Sequence, residues 1–272
     1  MQRKFFEMKF FETYHFTTVV DSVIADPWSR LRALEGFWSD GHERFVEPFP
    51  KYTALHQLIA FIVTEQFIDA STPVDYLKNQ PDVSTWIETG LRRYAIDHLS
   101  LSDWMSQTEI ASADLTQDDV DSYLDELVLV GDVEELASNV VEEVFFHLFG
   151  NRSCLLAFNE LMAKMVINDI GPDQVDAVHA LYFASPGVLR RIDLPEWVKH
   201  AVFFRDRGMC ALCQRDLSRL VTIEPEENYD HMVPLSRGGL NDVTNIQLLC
   251  SPCNLSKSDS EGATSSRYER WF

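Results

Sequence analysis

Apolar residues recur three and four positions apart through most of the first 190 residues of the chain. The period is clear in six segments, 53–68, 85–99, 115–130, 133–149, 152–167 and 173–184. This spacing places the apolar side chains along one face of an α-helix. The pattern therefore predicts a mainly helical region, and it contains no internal repeat or low-complexity tract.

Capping residues support several of the predicted helix ends. Thr116 is a good N-cap residue, and Asp118 and Asp119 follow it in the first turn, where negative charge interacts favourably with the helix dipole. Gly150-Asn151 and Gly171-Pro172 are stop signals after two later segments. Local sequence is thus expected to set these boundaries.

The N-terminal end is rich in aromatic residues. They are Phe5, Phe6, Phe10, Phe11, Tyr14 and Phe16. One interpretation is an exposed interaction stripe, and the other is core packing of a buried helix. The helical spacing favours core packing.

The pattern changes near residue 190. Ser185-Pro186-Gly187 interrupts the helical period, the segment 196–208 reads as one amphipathic helix, and 245–249 is a short β-rich segment. We therefore expect an acidic helical domain at 1–190, with a regulatory or partner-binding role, and a small α+β domain at 191–272.

The formal net charge of −20 is unevenly distributed. Residues 1–194 contain 14 basic and 32 acidic residues, whereas residues 195–272 contain 9 and 11. Within the first part, the segment 94–151 contains 14 acidic residues and no Lys or Arg. Such a surface repels nucleic acid in general.

Three interpretations of the acidic segment 94–151 remain open at the level of sequence. It is the solvated face of ordinary helices, or a docking surface for a basic partner protein, or an autoinhibitory element that covers a cationic cleft. The sequence does not separate them.

The apolar residues at the N-terminus do not have the pattern of a targeting signal. Glu7, Lys9 and Glu12 interrupt the apolar residues before they reach the length of a signal peptide. No later segment approaches the length needed to span a membrane. We therefore expect a cytoplasmic protein.

Four of the five cysteines form two C-x-x-C pairs, Cys210/Cys213 and Cys250/Cys253. Four thiolates so paired can surround one ion in the tetrahedral geometry of a closed structural zinc site. A redox dithiol and coincidental buried cysteines are the alternatives, and zinc is favoured over both. Cys154 lies in an apolar run and is interpreted as a small buried hydrophobe.

The residues between the two pairs form an ordered set of features. Asp230 and His231 are adjacent on a predicted strand, and Pro234 ends it. Gly238-Gly239 forms a loop that needs unusual backbone angles, and a strand and a short helix that begins near Pro252 follow. The order is strand, loop, strand, helix.

This segment resembles the HNH endonucleases, which have the ββα-metal nuclease fold. The resemblance covers about residues 195–260. It is carried by Asp230-His231, the loop from Pro234 to Gly239, Asn245 and the run C-x-x-C-N-x-x-K from Cys250 to Lys257, with Cys210/Cys213 upstream. The expected fold is thus a mainly α N-terminal domain plus a small zinc-stapled α+β domain of the ββα-metal type.

The resemblance implies roles for four residues. His231 is the expected general base that takes a proton from the attacking water. Asp230 and Asn254 are expected to hold one catalytic Mg²⁺ or Mn²⁺ through oxygen atoms, and this ion would stabilise the leaving 3′ oxygen. Asn245 is expected to orient the loop of His231 through backbone hydrogen bonds. Asn254 stands where the family often has His.

Cationic residues near this site are candidates for binding phosphate. Arg237 and Lys257 are the best placed, and Arg205, Arg207, Arg215 and Arg219 either contact phosphates or only solubilise the domain. The acidic run 224–227 immediately before the catalytic strand would oppose a nucleic-acid strand unless its side chains face away.

The resemblance implies a metal-dependent endonuclease that hydrolyses nucleic acid, with DNA the expected substrate. HNH domains fused to unrelated helical domains often serve bacterial defence, including antiviral defence, or mobile elements. The alternative is a catalytically silent, zinc-bearing module that only binds nucleic acid or protein. Adjacency of Asp and His is not sufficient by itself, since Asp97-His98 is a second such pair, on a predicted helix without the other features.

Overall fold

The computed structural model describes residues 5–27, 34, 36–38, 43–79, 84–170, 172–218, 227–259 and 261–270. The chain divides into two compact units. The first comprises Met1–Thr18 and Leu58–Phe145, and the second comprises Val19–Gln57 and Phe146–Phe272. The predicted boundary at 190 differs from this division, because residues before 190 group with the C-terminal segment. As a division between functional domains it stays a prediction.

The described residues are mostly helical, with two short antiparallel strand pairs. The helices are α1 (Thr13–Ala25), α2 (Glu43–Val46), α3 (Ala54–Ile68), α4 (Val74–Asn79), α5 (Trp86–Tyr94), α6 (Leu101–Gln107), α7 (Gln117–Val130), α8 (Asp132–Phe149), α9 (Arg152–Asp169), α10 (Glu196–Arg205) and α11 (Ser251–Lys257). The strands are β1 (Phe183–Ser185), β2 (Val188–Leu189), β3 (Glu227–His231) and β4 (Ile246–Cys250). None of the helices in the described ranges combines the length and the hydropathy needed to cross a bilayer.

The structure confirms the capping residues that the sequence predicts for α7. Thr116 accepts a hydrogen bond from the backbone N–H of Asp119, and Asp119 Oδ2 accepts one from Thr116 N at 2.8 Å. Thr85 and Glu88 form the same reciprocal box at the start of α5. Such a box satisfies backbone donors that the first turn would otherwise leave unpaired.

Two predicted helices end or fold differently. The helix predicted at 85–99 ends at Tyr94, because Ala95 adopts a left-handed conformation with φ of 56°. The Asp97-His98 pair therefore lies outside it. The helix predicted at 173–184 is wrong: the Asp176 carboxylate accepts from Val178 N and His179 N, a 3₁₀ turn follows at His179–Tyr182, and Phe183 then begins β1 and pairs with Leu189. Tertiary pairing of the apolar Phe183 overrides the local helical period.

The N-terminal aromatic residues divide between the two interpretations. Phe11 and Phe16 are buried, and the Phe16 ring lies 5.4 Å from that of Phe67. Phe5, Phe6, Phe10 and Tyr14 are exposed. Core packing is thus correct for two residues and wrong for four: Phe5, Phe6 and Phe10 precede α1, and Tyr14 lies on the exposed face of α1.

The second unit contains the strand pair β3–β4. The strands are antiparallel, with His231 opposite Ile246 at one end and Glu227 opposite Cys250 at the other. α11 follows β4 directly and packs against both strands. Strand, loop, strand and helix occur in the predicted order. α10 packs against β4, and Val198 and Val202 join Ile246 and Leu248 in the core of this unit.

Residues far upstream in the sequence support this strand pair. Asp242 accepts hydrogen bonds from Thr244 N and from Ala54 N, at 2.9 and 3.0 Å. Arg152 lies within 3.4 Å of Asp206, and both side chains are buried. Removing one partner of such a pair typically costs about 3–5 kcal/mol, because the other charge is left unpaired in the interior. The ββα segment is therefore one part of a larger packed unit.

Candidate active site and cysteine cluster

The four cysteines of the two C-x-x-C pairs converge. Their Sγ atoms all lie within 4.8 Å of one another, and Cys213 and Cys250 are 3.6 Å apart. Sulfurs around a tetrahedral zinc with bonds of about 2.3 Å are separated by about 3.8 Å. The spacing and the all-sulfur donor set therefore fit a structural zinc ion.

Backbone hydrogen bonds hold the first pair in place. Cys210 N donates to Arg215 O at 2.8 Å and closes the turn. Ala211 N donates to Leu248 O, also at 2.8 Å, and ties this turn to β4, which ends at Cys250. The cluster therefore lies at one end of the strand pair and His231 at the other, and the cluster holds its end in place.

Cys154 lies apart from the cluster, in α9. It is buried, and burial raises the pKa of its thiol, with the nearby Asp21 carboxylate acting in the same direction. A thiol of this kind is inert. The interpretation of Cys154 as a small buried hydrophobe fits its surroundings.

His231 is the last residue of β3, and 4% of it is exposed. Its Nε2 lies 3.2 Å from Asn241 Oδ1, and Asn241 Nδ2 donates to Arg190 O at 2.8 Å. A backbone carbonyl can only accept, so the contact with Arg190 fixes the orientation of the Asn241 amide. Asn241 Oδ1 therefore accepts from Nε2–H, and Nδ1 is the imidazole nitrogen that can accept a proton.

Burial lowers the pKa of His231 to about 4. The hydrogen bond that His231 donates to Asn241 and the charge of Asp230 raise the pKa and so oppose this effect, whereas the positive charges of Arg191 and Lys257 add to the lowering. The neutral imidazole is the form that can act as a general base. The surroundings of His231 thus favour the base-competent form near neutral pH.

Asn245 braces the loop that follows His231. Its Oδ1 accepts from Val233 N at 2.8 Å, and its Nδ2 donates to Val233 O and Leu240 O, both at 3.0 Å. Met232 N donates to the backbone carbonyl of Asn245. The side chain is completely buried, so the amide replaces water as the partner of these backbone groups.

The two loop glycines meet different steric demands. Gly238 has φ of 79° and ends the 3₁₀ turn Leu235–Arg237 in a left-handed conformation. A Cβ on it would also lie 2.6 Å from Ala163 O in α9. A Cβ on Gly239 would lie 2.0 Å from Val233 O. The loop can close on Asn245 and on α9 only without side chains at these positions.

Asp230 and Lys257 form an ion pair. Lys257 Nζ lies 3.0 Å from Asp230 Oδ2 and donates to His231 O at 2.8 Å. The Lys257 side chain is 2% exposed and that of Asp230 is 19% exposed. The structure thus turns Lys257 inward, whereas the sequence places it among the phosphate ligands, and that role stays a prediction.

Asn254 lies one helical turn before Lys257 on α11, so the two side chains share a helix face. The face is the one from which Lys257 reaches Asp230 on β3. A carboxylate and an amide oxygen are hard donors of the kind that Mg²⁺ and Mn²⁺ prefer. The donor chemistry of Asp230 and Asn254 therefore fits such an ion.

The other predicted cations differ in their surroundings. Arg237 is exposed, and it lines a groove of about 570 Å³ with Lys164 of α9 and Gly262. Arg205 fits neither alternative: its side chain is 1% exposed, is paired with Asp206 at 2.9 Å and donates to Ile246 O. Arg219 and residues 224–226 of the acidic run lie outside the described residues.

Sequence reasoning missed two features beside His231. Asn241 follows the Gly-Gly loop and could have been noticed as a polar residue within the motif. Arg190 and Arg191 carry no local signal, since 40 residues separate Arg191 from His231. Only the fold brings Arg190 O to Asn241 and so places these arginines at the His231 end of β3.

The acidic segment 94–151 is largely solvated. Eleven of its acidic residues are exposed, Asp97, Asp103, Glu109, Asp114, Asp118, Asp121, Asp125, Glu126, Glu134, Glu135 and Glu142. Glu143 is an exception, since it is buried and accepts hydrogen bonds from Thr13 Oγ1 at 2.5 Å and from Phe10 N at 3.0 Å. Most of the negative charge is therefore available to solvent or to a partner.

Comparison with known proteins supports the resemblance at the C-terminal end. Residues 210–260 match the family model of the HNH endonucleases. The match covers both cysteine pairs and all four residues to which the resemblance assigns catalytic roles. No curated protein and no solved structure gives a significant match to the chain.

Proposed function

We propose that the HNH domain at residues 210–260 makes this chain a metal-dependent endonuclease that hydrolyses phosphodiester bonds, with DNA as its substrate. The observation that carries the proposal is the position of His231. Burial lowers the pKa of its imidazole and so favours the neutral form, its Nε2–H donates to Asn241 Oδ1, and the adjacent Asp230 carboxylate is partly exposed. A general base next to a hard metal ligand is an arrangement that can hydrolyse a phosphodiester.

In this proposal His231 Nδ1 accepts the proton of the attacking water. Asn241 keeps the other nitrogen protonated, so the accepting nitrogen is always the same one. Asn245 fixes the backbone from Met232 to Leu240 and so holds the imidazole against movement. General-base catalysis depends on such fixed geometry, because proton transfer needs hydrogen-bond distance.

Asp230 and Asn254 would hold the catalytic cation. When bound, Mg²⁺ or Mn²⁺ supplies positive charge to the scissile phosphate and to the leaving oxygen. Lys257 neutralises Asp230 and anchors α11 to the backbone of His231, so it keeps the two oxygen donors on facing elements. The four cysteines would hold a zinc ion and so fix the other end of the strand pair.

Plasmid cleavage tests the proposal. The full chain, freed of Mg²⁺ and Mn²⁺ by dialysis with its zinc retained, is expected to leave supercoiled DNA intact and to nick it when either ion is added. Single-stranded DNA and RNA of matched sequence serve as further substrates. Cleavage of RNA alone would correct the substrate, and no cleavage of any of them with either ion would reject the enzyme.

The alternative function is a catalytically silent, zinc-bearing binding module. It predicts that the chain retains nucleic acid in a binding assay while all substrates remain uncut. The assignment to bacterial defence or mobile elements rests on the resemblance alone. A chain that cuts host and foreign DNA equally under all conditions tested would argue against a defence role.

We also propose that the acidic segment 94–151 docks a basic partner protein, with plain solvation as the rival interpretation. At the end of α7, Val128, Leu129 and Val130 are exposed, Leu129 to 86%, among exposed carboxylates. An apolar group within acidic surroundings suits a basic amphipathic segment.

Calorimetric titration with a synthetic lysine-rich amphipathic peptide tests this docking proposal. We expect binding that the substitution Leu129→Ser weakens several-fold, with Ile167→Ser, also at an exposed apolar residue, as the control. No binding, or equal binding by both variants, would leave solvation as the explanation of the acidity.

A further inference from the structure

We infer that Arg191 binds a phosphate of the nucleic acid next to the bond that is cut, so that the segment between β2 and α10 forms one wall of the active site. The inference rests on the proposed function. It adds a substrate contact from outside the residues that match the HNH family.

The backbone at this point is fixed to the catalytic residues. Arg190 N donates to Tyr182 O at 2.7 Å, which extends the pairing of β1 with β2. Arg190 O accepts from Asn241, whose other amide atom contacts His231. Two hydrogen bonds therefore separate the backbone of Arg190 from the imidazole.

The side chain of Arg191 points to solvent. Ile192 and Leu194 are partly buried and pack against the core of the second unit, whereas Arg191 and Asp193 are exposed. This alternation is typical of an extended segment with one face on the core. The Arg191 side chain thus lies on the solvent side of this segment.

The negative net charge of the protein makes an exposed cation at Arg191 important. A chain of net charge −20 repels nucleic acid, so it needs local cations wherever a phosphate must approach. Lys257 is turned inward to Asp230, and Arg205 is buried against Asp206. Arg191 is exposed, and guanidinium groups suit phosphate because they can donate two parallel hydrogen bonds.

Arg237 lies on an element that meets the same region. The turn Leu235–Arg237 contacts β2, which precedes Arg191 by two residues.

Arg190 is held in place by its own side chain, since its Nε donates to Phe183 O at 2.7 Å. We therefore assign the phosphate contact to Arg191, with Arg190 as the residue that stiffens the segment.

Binding measured without cleavage tests the inference. In the His231→Ala background, the full chain is titrated into a fluorescent 20-base-pair DNA duplex at several salt concentrations. Arg191→Gln is expected to weaken binding roughly fivefold and to make the slope of log K against log salt shallower by about one. Arg191→Lys should restore most of the binding, because it restores the charge.

Arg267→Gln is the matched control. Arg267 is exposed in the same unit and lies beside Arg152 at the start of α9, so the substitution makes the same charge change elsewhere. Equal losses in Arg191→Gln and Arg267→Gln, or no loss in either, would overturn the assignment of Arg191. If the parent protein binds neither duplex nor single strands, the proposed function fails, and the inference fails with it.

The cleaving protein gives a second measurement. Arg191→Gln is expected to raise KM several-fold and to leave kcat within about twofold, because it removes binding that ground state and transition state share. A fall in kcat with unchanged KM would contradict a phosphate-binding role. Thermal midpoints of all variants confirm that the fold is retained.

Discussion

Replacing His231 by Ala is expected to reduce DNA cleavage by roughly 100- to 10,000-fold, the range in which a positioned general base contributes to a reaction. The substitution removes the only group that the proposed mechanism uses to take the proton of water. Initial rates of plasmid nicking at saturating Mg²⁺ measure the loss. A variant that retains more than a tenth of the activity would exclude His231 as the base.

The burial of His231 calls for a second variant. Alanine leaves a cavity and an unpaired Asn241 Oδ1, so part of any loss could come from unfolding. His231→Gln keeps an amide donor for Asn241 and much of the volume, yet it cannot act as a base near neutral pH. Both variants should be inactive while the His231→Gln protein melts close to the parent.

The second Asp-His pair supplies the matched control. His98 follows Asp97 directly, as His231 follows Asp230, but its Nδ1 contacts Ile96 O in the first unit. His98→Ala should leave the cleavage rate within about twofold. A comparable loss in both histidine variants would indicate a general effect on folding.

Loss of zinc is expected to unfold the second unit. Apparent binding free energies of structural zinc are about 10–16 kcal/mol at neutral pH, which exceeds the net stability of most domains. Elemental analysis should find one zinc per chain. Treatment with a strong chelator, or the substitution Cys213→Ser, should remove it and abolish the cooperative thermal transition of this unit.

Cys213 is the informative cysteine because it is exposed. At an exposed site without a metal, exchange of sulfur for oxygen would change the free energy of unfolding by no more than about 0.5 kcal/mol. Cys154→Ala is the control for loss of a buried cysteine outside the cluster, and its zinc content should stay at one per chain. A folded Cys213→Ser protein with an unchanged melting temperature would disprove a structural metal.

Local signals in the sequence predicted many elements well. Thr116 and its acidic first turn define the start of α7 because capping involves residues that are close in the chain. The prediction of a helix at 173–184 was wrong because local signals did not decide the conformation there. The residues of this segment have a helical period, but Phe183 pairs with Leu189, which lies outside the segment, so a contact beyond the helical window decides the conformation at its end.

In the site, too, some features were predictable from the sequence and others were not. The order of Asp230-His231, the two glycines, Asn245 and the cysteine pairs predicted a ββα segment, and the convergence of four sulfurs follows from that order. The partners of these residues were not predictable. Lys257 pairs with Asp230, and Arg205 pairs with Asp206, because each buried cation needs a carboxylate partner in the packed unit.

The sequence by itself determined the HNH motif and its four cysteines, because these residues lie within about fifty positions and their spacing is that of one small motif. The tertiary structure decided what surrounds these residues. It brought Asn241 to His231 and the backbone of Arg190 to Asn241, and it placed α9 against the glycine loop. Such contacts depend on how helices and strands pack, and packing leaves no periodic signal in the sequence of either partner.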